Sequence, residues 1–323
     1  MLFVSHFTGA IGWDITQPDQ PVEIGELPVL DGYRGLAVGA DRVYMASCQS
    51  AAPMTISSMD LATRDLVRPA EMTPIPSVGW KFDLAGDLLV TTEGPVLRVI
   101  DVGDPEAAVE RGSLDLGGSL WTIADVDGSL AAALSYSEIR IVDISDPAAP
   151  RVRGRIPVDD VQEDAVALSG NVAFVVNESW PEPCELAIHD LSDPDLPVRI
   201  GTLALPHGNE EVLVAGDLVI CRTWGAFTIC DVSDPADPRL ASVTFCSASA
   251  IGLNGNDLYV GRWQGGFEVY DISDPSQPQR RGFFRTLGLT TCFAFDGDIV
   301  YTSDYLHGGQ IVDMSDINRP AWV

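Results

Sequence analysis

The chain contains almost no lysine and no long run of basic residues. Lys81 is its single lysine, and 19 Lys and Arg stand against 47 Asp and Glu, so the formal net charge is −28 at pH 7. Such a charge repels phosphate backbones and anionic membrane surfaces unless a local basic patch offsets it. We therefore predict neither a nucleic-acid partner nor a membrane partner.

Long apolar runs and targeting signals are also missing. No stretch reaches about 18 consecutive apolar residues, the approximate minimum for a membrane-spanning helix. Residues 1–7 contain no basic segment followed by an apolar core and a cleavage site. These absences predict a cytoplasmic protein. Its six cysteines lack the close paired spacing of zinc and redox motifs, so we expect thiols packed as small apolar side chains.

Sequence motifs of the common catalytic and cofactor sites do not occur. There is no nucleophile elbow, zinc-protease helix, phosphate-binding loop or dinucleotide fingerprint. We therefore predict no cofactor and no metal site, and leave open whether the protein is an enzyme. Any catalysis would depend on residues brought together from distant parts of the chain.

What the sequence does contain is a repeated unit. An apolar stretch runs into an aspartate that opens a turn at residues 14, 60, 101, 143, 190, 231, 271 and 313, with spacings between 40 and 47 residues. Asp side chains bond their own backbone in such turns, which accounts for much of the acidic charge. Repeats of roughly 40 to 45 residues with several short strands are typical of β-propellers. We therefore predict one all-β domain over residues 1–323.

Each repeat contains four predicted strands, which are clearest between Asp143 and Asp190. The outer strand is expected at residues 151–156, and the inner, second and third strands are expected at residues 164–168, 172–176 and 185–189. The outer strand alternates polar and apolar residues, whereas the short inner strand is almost wholly apolar and fits a position covered on both faces. Gly or Asp at nearly every connection between the inner and second strands indicates a hairpin.

The chain ends allow two blade counts. Seven inner strands can be found, so we predict a seven-bladed propeller; they are centred near Ala37, Phe82, Ala124, Val166, Leu213, Gly252 and Ala294. In that arrangement residues 22–26 form the outer strand of the last blade, and the first hairpin lies outside the ring. The alternative is a ring of eight blades, the first of them incomplete.

The turns and the strands before them resemble those of LVIVD-repeat propellers. Ile141-Val-Asp143-Ile-Ser-Asp-Pro and Val269-Tyr-Asp271-Ile-Ser-Asp-Pro match the repeat closely, whereas the copies at Asp14 and Asp60 depart most. The resemblance covers the whole chain and implies a propeller fold. It implies no shared catalytic residues, because the repeated motif is structural.

One face of a propeller carries the connections between second and third strands and those between successive blades, and it is the usual ligand face. At these positions the repeats differ, and most carry a charged, hydrogen-bonding or aromatic residue. We predict that this face binds a ligand through Arg34, Trp80, Trp121, Asn177, Arg222, Trp224, Arg262, Trp263, Asp304, Tyr305 and His307. Aromatic walls with a few convergent polar groups are typical of small-molecule sites.

Arg222 and Arg262 occupy corresponding places in consecutive repeats. Two arginines at one mouth would bind a carboxylate through their planar guanidinium groups. The alternative is that the arginines pair with carboxylates of the protein itself, namely Glu210, Glu211 or Asp304.

Acidic residues and a histidine supply candidate catalytic groups on the same face. They are Asp164, His207, Glu210 and Glu211. Crowding raises the pKa of one carboxyl, which can then act as an acid or a base, and a carboxylate can orient the histidine as a base. The same carboxylates could instead bind Ca²⁺, a hypothesis that ranks lower because no compact loop supplies several ligands.

Two functions remain open. The first is binding of a small anionic or aromatic molecule at the mouth of the propeller, with acid–base chemistry on that molecule as an extension. The second is a non-catalytic platform for protein partners. A ligand site requires a concave funnel with converging charged groups, whereas a platform requires a flatter patch with exposed apolar residues.

Overall fold

The computed structural model describes residues 2–6, 9–14, 22–28, 33–38, 42–47, 55–60, 66–67, 82–104, 108–118, 121–158, 165–177, 184–206, 211–223, 225–263, 265–286, 290–304, 308–317 and 319–322. Before residue 82 the description is confined to strands and their pairing. Within these ranges the regular structure is β-strand throughout, as the repeat predicts.

The described strands form eight antiparallel sheets, one with three strands and seven with four. Sheet 1 contains β1 (Leu2–His6), β2 (Gly9–Asp14) and β3 (Val22–Pro28), and sheet 2 contains β4 (Tyr33–Val38), β5 (Arg42–Ser47), β6 (Thr55–Asp60) and β7 (Leu66–Val67). Sheet 3 contains β8 (Phe82–Ala85), β9 (Leu88–Glu93), β10 (Val96–Asp101) and β11 (Val109–Asp115). Sheet 4 contains β12 (Thr122–Asp127), β13 (Leu130–Leu134), β14 (Glu138–Asp143) and β15 (Arg151–Pro157).

Sheet 5 contains β16 (Val166–Ser169), β17 (Val172–Asn177), β18 (Glu185–Asp190) and β19 (Val198–Ala204), and sheet 6 contains β20 (Glu211–Ala215), β21 (Leu218–Arg222), β22 (Ala226–Asp231) and β23 (Arg239–Phe245). Sheet 7 contains β24 (Ala250–Asn254), β25 (Asp257–Gly261), β26 (Phe267–Asp271) and β27 (Gln279–Phe284). Sheet 8 contains β28 (Thr290–Asp296), β29 (Ile299–Asp304), β30 (Gly308–Asp313) and β31 (Ala321–Trp322). In every sheet the strand order follows the chain, so each repeat is a simple meander.

Tight glycine turns join the first two strands of most four-stranded sheets. Gly128, Gly170 and Gly216 have φ angles of 57° to 58°, in the left-handed region that favours glycine. The hairpins predicted at these positions are confirmed. The first strands of successive sheets from β4 to β28 lie side by side, which places them at the inner side of the stack.

Apolar side chains fill the seams between neighbouring sheets. Separate buried clusters occupy each seam from sheet 3 to sheet 8. In the seam between sheets 6 and 7, Phe227 is fully buried and meets Tyr270 edge to face, with ring centroids 5.0 Å apart. Burying one such aromatic side chain contributes about 2 to 3 kcal/mol. Stability is therefore distributed along the repeats, each packed on its neighbours.

The pairing of the chain ends differs from the sequence prediction. Strand β3 pairs with β2 in sheet 1, and β31 pairs with β30 as the outer strand of sheet 8. The prediction that residues 22–26 supply that outer strand is wrong, because the C-terminal residues 321–322 take the place. Strand β1 contacts β29 and β30 on one side and β4 on the other. The first hairpin therefore contacts both sheet 8 and sheet 2.

The repeated aspartate shapes each turn between the third and fourth strands. Asp143 Oδ1 accepts hydrogen bonds from the Ser145 amide at 2.9 Å and the Ser145 hydroxyl at 2.6 Å. The next residue, Ile144, donates its amide to the Ser129 carbonyl in the glycine turn of the same sheet. The two kinds of turn thus share one end of the sheet, the turn end. The opposite end, with the connections between second and third strands, is the loop end.

The same turn also packs against the preceding sheet. A Cβ built on Gly112 of β11 would lie 2.5 Å from the Pro147 carbonyl oxygen of the following repeat. The same close approach recurs at Gly154 and Gly201. Where β23 has serine instead, Ser242 Oγ donates to the Pro275 carbonyl at 2.7 Å. The repeated turn is therefore a contact between repeats as well as a local structure.

Candidate functional site

The predicted site residues fall into three groups. For Arg34, Asn177 and Asp304, the structure describes only the strands in which they lie, β4, β17 and β29. Trp121, Glu211, Arg222, Arg262 and Trp263 are described with their side chains. The remaining predicted residues lie outside the described ranges; they are Trp80, Asp164, His207, Glu210, Trp224, Tyr305 and His307.

Arg222 is held by a carboxylate of its own sheet. It ends β21 directly opposite Glu211, the first residue of β20, and its Nε lies 2.6 Å from Glu211 Oε2. Its Nη1 also reaches the Ala248 carbonyl at 3.4 Å, and the residue is only 8% exposed. Arg222 therefore pairs with a carboxylate of the protein itself, which is the alternative to binding an anionic ligand. Glu211 is the one predicted catalytic residue with a described side chain, and its carboxylate serves this pair.

Arg262 is bound in a buried network at the same end of sheet 7. Glu268 of β26 is 4% exposed, and its Oε1 accepts a hydrogen bond from Arg262 Nη1 at 2.9 Å and forms an ion pair with Arg280 Nε at 3.0 Å. Its Oε2 accepts from the Tyr270 hydroxyl at 2.9 Å. A buried carboxylate requires such partners. Burial, followed by the bond to Glu268, raises the pKa of Tyr270.

The two described tryptophans have different surroundings. Trp121 is 6% exposed, donates its Nε1 to the Gly117 carbonyl and has Arg140 Cζ 4.4 Å from its ring centroid. It packs in the seam between sheets 3 and 4. Trp263 is 41% exposed at the loop end, where its Nε1 donates to the Ala248 carbonyl at 2.9 Å. Of these two tryptophans, only Trp263 presents a large apolar surface to solvent.

Other exposed aromatic side chains also lie at the loop end. Tyr136 is in the connection between β13 and β14, Phe245 ends β23, and Phe283 is directly opposite Glu268 in β27. Tyr136 and Phe245 are about three-quarters exposed, and Phe283 is 41% exposed. The exposed aliphatic residues of sheet 5, Leu196 and Val198, lie at the turn end.

The sequence prediction omitted Phe245, Phe283 and the arginines of β27. These residues lie in outer strands, away from the inner positions that were compared between repeats. A signal was nevertheless present, because residues 280–285 read Arg-Arg-Gly-Phe-Phe-Arg in a chain with only 19 basic residues. Such a local concentration of arginine and phenylalanine is typical of interface composition.

The described residues show neither a metal-binding cluster nor a membrane-spanning helix. Among them, no three His, Cys, Asp or Glu side chains come together as a metal-binding group. None of the described segments is a helix of the length and apolar character that a membrane span needs.

Stacked four-stranded meanders with inner strands side by side define a β-propeller, in which repeats pack on one another around an axis. The LVIVD repeat model matches residues 133–157, 210–244 and 246–286. These matches confirm, for the residues that they cover, the resemblance to LVIVD-repeat propellers carried by the repeated aspartate turns. A search of curated proteins gave no significant match.

Solved structures with similar folds have low sequence identity to this chain. They include the computationally designed Ika8 protein, with a TM-score of 0.70, 10% identity and coverage of 95% of this chain and 92% of that chain. BamB from Moraxella catarrhalis has a TM-score of 0.64, 12% identity and coverage of 96% and 90%. Sqt1 from Chaetomium thermophilum was solved bound to the N-terminus of the ribosomal protein L10. It has a TM-score of 0.61 and 15% identity, and the match covers 90% of this chain and 87% of that chain. At these identities the similarity establishes the fold alone.

Proposed function

We propose that the protein is a platform for protein partners and that its binding surface is the loop end of the propeller. The observation that carries this proposal is the placement of Tyr136, Phe245, Trp263 and Phe283, all exposed and all at that end. Tyr, Trp, Phe and Arg are enriched where proteins bind one another, and a few such residues supply most of the binding energy.

The contacts of the two predicted clamp arginines favour the platform over a small-anion site. Arg222 bonds Glu211, and Arg262 bonds Glu268. A small carboxylate would have to compete with a protein carboxylate at either position. Sqt1, which shares the fold, was solved with a protein segment bound. Small-anion binding stays the second proposal, at Arg262 and at the predicted residues outside the described ranges.

The platform is proposed to be a closed ring with sheet 1 as an incomplete eighth blade. Support comes from β1, which contacts sheet 8 through β29 and β30 and sheet 2 through β4. A cytoplasmic location is part of the same proposal. Cys221, Cys230 and Cys246 are thiols, as expected in a reducing compartment.

Affinity capture from cell extract, with quantitative mass spectrometry, tests the platform against matched variants. The test variant combines Trp263→Ala and Phe283→Ala at the loop end. The control combines Leu196→Ser and Val198→Ser, which removes exposed apolar surface at the turn end. We expect specific partners to be lost from the test variant and kept by the control. Equal retention by both variants, or a thermal shift with small carboxylates and no retained protein, would contradict the platform.

A further inference from the structure

Four of the 19 basic residues of this acidic chain are arginines in or beside sheet 7. Arg280 and Arg281 lie in β27, and Arg285 follows two residues after Phe283. Arg281 bonds Asp257 and Asp271 near the turn end, so its charge is matched there. Arg280 also begins near the turn end, opposite Tyr270, but its guanidinium group reaches Glu268, which is opposite the exposed Phe283. Arg285 follows the phenylalanine in the chain.

The remaining arginines of this region outnumber the carboxylates that they contact. Arg262 and Arg280 share a single oxygen of Glu268. Arg285 is exposed and makes no ion pair among the side chains that the structure describes. Three guanidinium groups therefore accompany one carboxylate. Counting the side chains that the structure describes, the region has a formal excess of positive charge within a protein whose net charge is −28.

Two aromatic rings beside these arginines are fixed in position. Trp263 is tied to the Ala248 carbonyl through its indole nitrogen. Phe283 lies against Gly266, where a Cβ would come within 2.9 Å of the ring, and its centroid is 5.8 Å from Arg262 Cζ. Because the rings are positioned before any partner arrives, binding would cost little side-chain entropy.

The same residues line the seam between sheets 6 and 7 at its loop end. Tyr270 faces sheet 6, since its ring meets Phe227. Glu268 and Phe283 lie on the same face of sheet 7, because they are directly opposite in the pairing of β26 with β27. Trp263 reaches Ala248 in the connection from sheet 6. The seam is therefore bordered by arginine and aromatic side chains from one sheet and by backbone from the other.

We infer that this arginine–aromatic patch, made of Arg262, Trp263, Arg280, Phe283 and Arg285, binds an acidic segment of a partner protein that carries an aromatic or large aliphatic side chain. The inference rests on the proposed platform function. The partner's carboxylates would meet the arginine excess, and its apolar side chain would pack on the two rings. The acidic remainder of the surface would repel the same segment elsewhere, which restricts it to this patch.

Peptide arrays test the chemical class of the partner. One array contains 12-residue peptides with a single Phe, Trp or Leu among Glu, Ser and Gly. Two matched arrays replace Glu by Lys, or the apolar residue by Ser. We expect the strongest binding of purified protein to the acidic peptides with an apolar residue. Stronger binding to the Lys array, or no binding to the acidic array, overturns the inference.

Charge reversal then locates the contact, using the best acidic peptide in solution. Arg285→Glu should weaken binding by about tenfold without changing Tm, because the side chain is exposed and outside the buried network. Arg319→Glu, an exposed arginine at the turn end, is the matched control and should leave affinity unchanged. Equal affinity of wild type and Arg285→Glu contradicts the inference.

The outcomes separate this inference from the platform proposal. If Trp263→Ala reduces binding of Lys-containing peptides, the loop end is a platform, but the inference that the partner segment is acidic is wrong. If captured proteins are lost on Trp263→Ala but unaffected by Arg285→Glu, the aromatic contact stands and the arginine contact fails. If no protein depends on Trp263 and Phe283, the platform itself fails.

Discussion

At the scale of single residues, the repeated aspartates have a specific chemical role. The Ser145 hydroxyl, followed by the Ser145 amide and by Arg151 and Arg153, holds the pKa of the Asp143 carboxyl well below its usual range. Corresponding bonds from a serine two residues later lower the pKa of Asp190, Asp231 and Asp271. The charged form of each carboxyl is therefore the one that the turn stabilises, and these turns weaken as the pH falls below about 4.

His189 differs, because its neutral form is the one that the fold accommodates. It lies in β18 opposite Arg199 of β19, and its buried Nδ1 has no hydrogen-bond partner among the described residues. Burial, followed by the charge of Arg199, lowers the pKa of His189 to about 4. As the pH falls, His189 in the unfolded chain takes up a proton near the ordinary histidine pKa of about 6.5, before His189 in the folded protein does.

We predict that His189 makes stability fall as the pH is lowered from about 6.5 to 4. The contribution of neutral His189 to the free energy of unfolding is fully present above the unfolded-state pKa and is lost as the pH falls to the folded-state pKa. The loss is about 1 to 2 kcal/mol after allowance for partial exposure. Urea unfolding of wild type and His189→Leu at several pH values measures the difference. The carboxylates titrate equally in both proteins, so parallel pH profiles would contradict the prediction.

At the scale of elements, the outer strands connect charge with packing. Arginines of these strands neutralise the turn aspartates, as Arg111 does for Asp101 and Arg281 for Asp271. Arg153 goes further, since it bonds Asp143 of its own repeat and Asp195 of the next. The glycines of the same strands admit the proline carbonyl of the next turn. An outer strand is thus the place where one repeat is aligned with the following one.

We predict that Gly112→Ala destabilises the fold by about 2 to 3 kcal/mol, because the added methyl group would clash with backbone at Pro147 and Ala148. Gly128→Ala is the matched control. It has positive φ but nothing within 4 Å of the new methyl group, so it should cost about 1 kcal/mol of backbone strain. Urea unfolding ranks the two variants. Equal costs would mean that the turn moves away without penalty.

At the scale of the whole molecule, sheet 1 decides whether the stack is closed. Its first strand contacts both sheet 8 and sheet 2, although the sheet has only three strands. In repeat proteins each unit buries its neighbour's apolar face, so a missing unit exposes two such faces. The proposed ring of eight blades therefore makes the first residues of the chain part of the core.

We predict that removing residues 1–28 lowers Tm sharply and causes aggregation, because it opens the seams on both sides of sheet 1. Thermal unfolding followed by circular dichroism measures the effect. Supplying residues 1–28 as a separate peptide should restore part of the lost Tm, which distinguishes a missing blade from general misfolding. A truncated protein with unchanged Tm would support seven blades with the hairpin outside.

The amino-acid sequence alone determined the repeat, the strands and the turns. These features depend on contacts within a few residues, such as Asp143 with Ser145, and on the alternation of apolar residues along β15. Local hydrogen bonds and side-chain alternation have the same consequence in every copy, so a single repeat is enough to recognise them.

Only the tertiary structure decided the partners of the charged groups and the pairing of the chain ends. The sequence predicted Arg262 as part of an anion clamp, but only the fold shows that it bonds Glu268 and shares that carboxylate with Arg280. The choice between β3 and β31 as the outer strand of sheet 8 also depends on which end of the chain reaches β30. Such outcomes depend on distances between residues far apart in the chain, which neither composition nor periodicity specifies.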